Sequence, residues 1–325
     1  MFKTGKGLIR IAVTGILFLL LIFGCASADK LVVKASCPSV CGEKVTARAT
    51  KNDLILELPG AWDPTKIVLE IGNLQKVYLG PDKTEIILGQ EADLSGLITG
   101  QKIAVRNEKN YNMTSIRIEQ GSKIPSLFLE VDATTLSRAR LSKNVQVTEG
   151  RVFCLEADGT VSYDGELEQL RGRGNNSFMY AKKPLQMKLR EKAALGGMSK
   201  GKTWILLANW VDVSQLRNQI VLDLCRETGM KYAVKCVETD VWVNGTYYGL
   251  YLLTEKIQIG KGRVDITNLE KATEKVNPVP FDPGEMIIKK SAEYRVMRYY
   301  PAVQDPEDIT GGYILTQEKR FRMRE

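Results

Sequence analysis

Apolar and polar residues alternate along much of this chain in short runs broken by Pro, Gly, Asn and Asp. Leu54-Ile-Leu-Glu-Leu58, Lys66-Ile-Val-Leu-Glu-Ile71, Thr84-Glu-Ile-Ile-Leu88, Lys102-Ile-Ala-Val-Arg106 and Ser115-Ile-Arg-Ile118 each read as a strand. Their spacing predicts a small antiparallel sandwich between Lys30 and about Gln120. Gly121-Ser122-Lys123 reads as a joint, after which Ile124 to Leu129 begins a second β-rich block. Arg151-Val-Phe-Cys-Leu155 leads into an Asp158-Gly159 turn, a hairpin signal. In Leu185-Gln-Met-Lys-Leu189 a period of two turns Leu185, Met187 and Leu189 inward and Gln186 and Lys188 outward. Trp204 to Ala208 is apolar throughout, as a buried strand is.

Helical periodicity is sparse. Thr135 to Arg140 predicts a short helical turn. Asp212, with Gln215 three residues on, forms a capping-box pattern ahead of an apolar stripe of Leu216, Ile220, Val221, Leu224 and Cys225, which Gly229 closes. The strongest local signal is the hairpin Asp240 to Leu253, whose Asn244-Gly245 suits a two-residue type I′ turn. Beyond Lys256 the pattern loosens into proline-punctuated loops at 277–283 and 301–306, and 311–316 reads as one more strand. The fold class predicted is mainly β with α+β character.

Composition narrows the classes. At 325 residues, 44% apolar and 26% charged, the chain has the makeup of a globular protein with two modest domains. The net charge of +8 includes Lys3, Lys6 and Arg10, and the remaining excess is interspersed with acids, which argues against a nucleic-acid partner. The stretch 1–28 has a basic start, an apolar run from Ile11 to Phe23 and Ala26-Ser27-Ala28, the layout of a secretory signal peptide. Export to the exterior or the cell surface is therefore expected. Cys25 follows Ile22-Phe23-Gly24, a lipoprotein-like box with a bulky Phe23, which makes Cys25 a candidate lipid anchor to a membrane. Cys37 and Cys41 read as a disulfide, with a metal as the alternative. Histidine is absent, so imidazole acid/base chemistry and Ser-His or Cys-His nucleophile pairs are excluded.

The densest special chemistry lies between Leu170 and Lys256. In Arg171-Gly-Arg-Gly174 an extended backbone sends both guanidinium groups off one face, where they can grip phosphate oxygens, and the glycines let backbone approach a ligand; a glycine-rich bulge with solvated arginines is the alternative. Lys183, before Pro184, can reach a phosphate from the entrance of the next strand, or be simply solvated. Gly196-Gly-Met-Ser-Lys-Gly-Lys-Thr203 matches a phosphate-binding loop letter for letter, but a charged segment precedes it and a strand follows, so no helix N-terminus would face the phosphates.

From Ile124 to about Thr316 the sequence resembles the CotH kinase family of spore-coat-protein-H-like atypical protein kinases. The phrases that carry the resemblance are Arg171-Gly-Arg-Gly-Asn-Asn-Ser177, Lys182-Lys-Pro184, Trp204-Ile-Leu-Leu-Ala-Asn209, Leu216-Arg-Asn218, Asn244-Gly245, Gly249-Leu-Tyr-Leu-Leu-Thr-Glu255, Arg263-Val-Asp265 and Gly311-Gly-Tyr313. It implies a protein-kinase-like fold using ATP with Mg²⁺ or Mn²⁺ to phosphorylate Ser/Thr-rich protein substrates. It also places Arg171, Arg173 and Lys183 near the phosphates and Glu255 at an adenine-side hinge. The family's acidic Asn-Tyr-Asp and Trp-Asp-Tyr-Asp segments have no counterpart here. The organisation expected is thus a signal peptide at 1–28, a β-sandwich-like accessory domain at 29–121 and a CotH-kinase-like domain at 122–325 truncated before its helical half, with little activity of its own. The competing expectation is a non-catalytic secreted surface or adhesion module with a degenerate kinase lobe.

Overall fold

The computed structural model describes residues 31–277, 287–289, 297–299 and 306–310. The signal-peptide reading, Cys25 and the 311–316 strand lie outside the described residues. The chain divides into two compact units, one of residues 31–58, 62–121 and 245–247, the other of 59–61, 122–244 and the described residues from 248 on.

The first unit holds ten strands: β1 Val33–Cys37, β2 Cys41–Thr46, β3 Arg48–Ala49, β4 Leu54–Leu58, β5 Ile67–Ile71, β6 Lys76–Leu79, β7 Thr84–Ile87, β8 Glu91–Ala92, β9 Ile103–Arg106 and β10 Asn112–Gln120. They form two layers in the orders β2-β1-β5-β8 and β3-β4-β10-β9-β6-β7. Alternation decides which side chains are buried: in β5 Ile67, Leu69 and Ile71 are buried while Val68 and Glu70 are only partly covered. One pairing departs from the antiparallel expectation, since β10 runs parallel to β4 with Ile116 opposite Leu54. Cys37 and Cys41 face each other across β1 and β2 as free, buried thiols, and Cys37 Sγ lies 3.4 Å from Ser39 Oγ.

The second unit is built on β11 Ser126–Val131, α1 Ala133–Ala139, β12 Gln146–Val147, β13 Gly150–Leu155, β14 Val161–Gly172, β15 Leu185–Ala193, β16 Gly201–Leu207, α2 Arg217–Glu227, β17 Cys236–Val243, β18 Thr246–Glu255 and α3 Leu269–Val276. A small ladder of β19 Ile287–Lys289 with β20 Met297–Tyr299 follows. The order β16-β15-β14-β13-β11-β17-β18 closes on itself because β18 also pairs β16, with Leu206 opposite Leu253 and Trp204 opposite Glu255. The result is a seven-stranded ring, mainly β and barrel-like. Its filling includes Leu129, Val152, Leu170, Leu185, Met187, Leu189, Trp204, Leu206, Val241, Tyr251 and Leu253. Asn244 (φ 49°) and Gly245 (φ 78°) turn the β17–β18 hairpin through the left-handed region that Asn-Gly accepts.

Besides the parallel pair and the free thiols of Cys37 and Cys41, two readings of the helix behind Asp212 need correction. The helix expected to start behind Asp212 begins at Arg217, because Asn209 (φ 47°) and Gln215 (φ 61°) turn the chain once more first. The apolar stripe of that helix is not core: Leu216, Ile220, Val221 and Leu224 are 42 to 59% exposed, and no residue of α2 is buried.

Candidate functional site

Register assigns the side chains of the ring to its two faces. Leu170, Leu185, Leu206 and Leu253 point inward, so their neighbours in sequence point outward. One transverse outward row is Arg171 opposite Gln186, Gln186 opposite Ile205 and Ile205 opposite Thr254. Arg173 continues from Arg171 one step along the same face, its amide bonded to Pro184 O at 3.1 Å. On this face lies a cavity of about 520 Å³. Ile205 and Leu207 of β16 line it, together with Val221 and Leu222 of α2 and Val234 and Ile257. Its polar lining is Arg173, Gln186, Arg217, Asn218, Thr254, Glu255 and Lys256.

The structure therefore brings Arg173 and Glu255 to one cavity. Arg171 stands beside it: with the Gln186 amide turned to present its oxygen, Arg171 Nη2 and Nε both donate to that oxygen at 3.3 Å. Lys183 is elsewhere. Its Nζ donates to Phe178 O at 2.7 Å and sits 5.1 Å from the centre of the Phe178 ring. The Arg-Gly-Arg-Gly glycines also differ from expectation, since a Cβ on Gly172 would lie 2.1 Å from the Phe178 ring. That glycine makes room for the protein's own aromatic side chain and not for a ligand.

Arg173 is half-buried, and its guanidinium has no hydrogen-bond or ion-pair partner among the described residues. Burial alone depresses its pKa, the mark of a cation drawn partly out of water without a counter-charge. Glu255, by contrast, is occupied. Its Oε1 lies 2.9 Å from Arg263 Nη1, with both side chains almost wholly buried, and Oε2 accepts from the Lys235 amide at 3.3 Å. Arg263 in turn lies over Trp204, 4.7 Å from the ring.

Sequence reasoning missed Gln186, Arg217, Asn218 and Arg263 as site-building residues. Gln186 carried a signal: a polar outward position one step from Arg171. Asn218 donates to Asn209 Oδ1 at 2.7 Å, while Asn209 donates to Gln215 O at 2.8 Å, which fixes the loop that carries α2 over the cavity. Asp212 anchors this loop, accepting from Ser214 Oγ at 2.7 Å and from the Arg217 amide at 2.9 Å. The phosphate-loop look-alike runs straight into β16, as its flanks predicted, and its Gly201 has another purpose: a Cβ there would lie 2.0 Å from Arg263 Nη2.

The second unit is thus a mainly β, barrel-like domain with a cation-bearing slot on its outer face. More specifically, residues 170–306 match the family model described as CotH kinase protein, a span that contains every residue lining the cavity and bears out the resemblance drawn from the sequence. No curated protein matches the chain.

Proposed function

We propose that the outer-face cavity is the nucleotide site of an exported, CotH-like kinase domain whose acceptor is a Ser/Thr-rich protein. The observation that supports this reading best is Arg173, a half-buried guanidinium without a bonded partner among the described residues, on the wall of a slot that also has an apolar side. A purine base is flat and apolar on its faces, suiting Ile205, Leu207, Val221 and Leu222, while Arg173 and Arg217 supply charge for phosphate oxygens. Lys256 and Ile257 follow the last ladder pair, so the sheet does not consume their peptide groups and they can bond the base edge.

ATP-dependent phosphoryl transfer also uses a divalent cation held by carboxylates. Among the described residues the donor set does not fit one: no group of three or more metal-ligating side chains exists. Glu255 is held by Arg263, and Asp212 spends its oxygens on Ser214 and Arg217. The described residues thus support nucleotide binding without supplying transfer. The same engagement of the carboxylates favours the second reading, a non-catalytic surface module that keeps a nucleotide-shaped slot.

Calorimetry of ATP with the full chain tests the binding reading. Arg173→Ala is expected to weaken binding by about 10-fold or more, the worth of a charge-assisted bond. Lys183→Ala is expected to change it little. If the parent binds ATP and Arg173→Ala binds it equally well, the site assignment fails. Incubation with labelled ATP, Mg²⁺ or Mn²⁺ and a Ser-rich peptide separates the two readings, with little phosphate incorporation expected.

A further inference from the structure

A second concavity shares no lining residue with the first. Arg140 behind α1, Lys182 ahead of β15, Trp210 after β16, and Tyr248, Gly249 and Tyr251 of β18 enclose about 390 Å³. Its lining includes two cations and no carboxylate. The rings of Tyr248 and Tyr251 stack with centroids 6.0 Å apart and planes within 6°. The Arg140 guanidinium lies 5.5 Å over Tyr248, and Lys182 Nζ lies 4.5 Å over Tyr251. Each ring of the stacked pair thus carries one cation, and no carboxylate lines the cavity to offset either charge.

The polar atoms here are only partly satisfied. Arg140 Nη2 reaches Ala181 O at 3.4 Å and Lys182 Nζ donates to Leu250 O, but Arg140 Nε and Tyr248 Oη are buried with no hydrogen-bond partner. A buried polar atom left unpaired in a native structure calls for an explanation, and both of these atoms can donate. Burial pushes the Tyr248 hydroxyl up, so it keeps its proton at neutral pH and remains a donor. Two cations and a hydroxyl donor match a dianionic phosphate monoester better than a single carboxylate, and the volume leaves room for the carrier side chain.

We propose that this cavity is an oxyanion subsite for a phosphate monoester, as carried by a phosphorylated serine or threonine of a bound peptide. The proposal does not depend on the nucleotide reading, because it uses different residues.

Trp210 provides the readout. It is 52% exposed, whereas Trp62, Trp204 and Trp242, the other three of the chain's 4 tryptophans, are at most 2% exposed. The full chain is titrated with a phosphoserine peptide, its unphosphorylated twin and inorganic phosphate, following tryptophan emission and, independently, calorimetry. The phosphopeptide is expected to shift emission and the twin to have no effect. Inorganic phosphate that binds as tightly as the phosphopeptide places recognition in the free oxyanion, and weaker phosphate binding adds the peptide. Arg140→Gln and Lys182→Met are each expected to lose about 10-fold or more in affinity, as for one charge-assisted bond. Tyr248→Phe, which removes only a hydroxyl and so spares the fold, weakens binding severalfold. Arg173→Ala leaves the titration unchanged. Equal binding of the unphosphorylated twin, parent-like binding by all three cavity variants, or displacement by ATP would overturn the proposal.

Discussion

Among single residues, Arg263 concentrates the most structural consequence. Its guanidinium faces the Glu255 carboxylate at 2.9 Å, overlies Trp204 and fills the space left by the missing side chain of Gly201. A charge pair this deep tolerates the loss of one partner poorly, because the survivor stays buried without compensation. Arg263→Ala is expected to destabilise the protein by about 3–5 kcal/mol, read as a lowered urea midpoint at unchanged slope. An unaltered midpoint would mean that the pair contributes nothing net. Little of this was legible in the sequence: the letters around Gly201 spelled a phosphate loop, whereas the glycine answers to a residue more than sixty positions downstream. Spacing cannot reveal a partner brought in by the closing of the chain. Arg173 was legible because two arginines two apart on a strand must leave from one face. Lys183 was not separable from Lys182 by residue type alone, and local folding gives the first to the Phe178 carbonyl and the second to the tyrosine pair.

On the scale of elements, the strands follow their alternation and α2 does not follow its signals. Asp212 and Gln215 imitate a capping box, yet Gln215 bonds back to Asn209 O at 3.2 Å and Asp212 O at 2.9 Å, so the helix waits until Arg217. Asp212 still controls that start. Hydrogen bonds from Ser214, with further help from the Arg217 amide and charge, hold its carboxyl below the usual carboxylate range against the opposing effect of burial. A carboxyl depressed in this way stabilises the fold fully above its unfolded pKa, and that stabilisation fades as pH falls through the lower folded value. The Arg217 amide resonance is therefore expected to move and sharpen toward a disordered position below about pH 4. Asp212→Asn should show no such acid transition; a transition of the same size in that variant would dissociate Asp212 from the start of the helix. Because α2 carries Arg217 and Asn218 to the cavity, the ATP binding proposed for it should weaken over the same pH range.

At the scale of the whole molecule, order is uneven by construction. Leu185, Met187, Trp204, Leu206 and Leu253 lie at 1% exposure or less inside the ring, whereas α2 buries no residue at all. Segments with few buried contacts open without global unfolding. Native-state hydrogen exchange is expected to find the slowest amides in β15, β16 and β18 and to find α2 exchanging orders of magnitude faster. Comparable protection in α2 would show that its outward leucines and isoleucine are covered in solution.

The pairing of β16 with β18 also bears on how a peptide could be held against this ring. Among the described residues, and apart from the two-residue β12 laid against β14, the strands of the circle pair with one another, which narrows the margin at which a guest peptide could hydrogen-bond as an additional member. A polypeptide that visits this ring is then expected to be grasped mainly by side chains and loops on its outside, which ties selectivity to individual contacts.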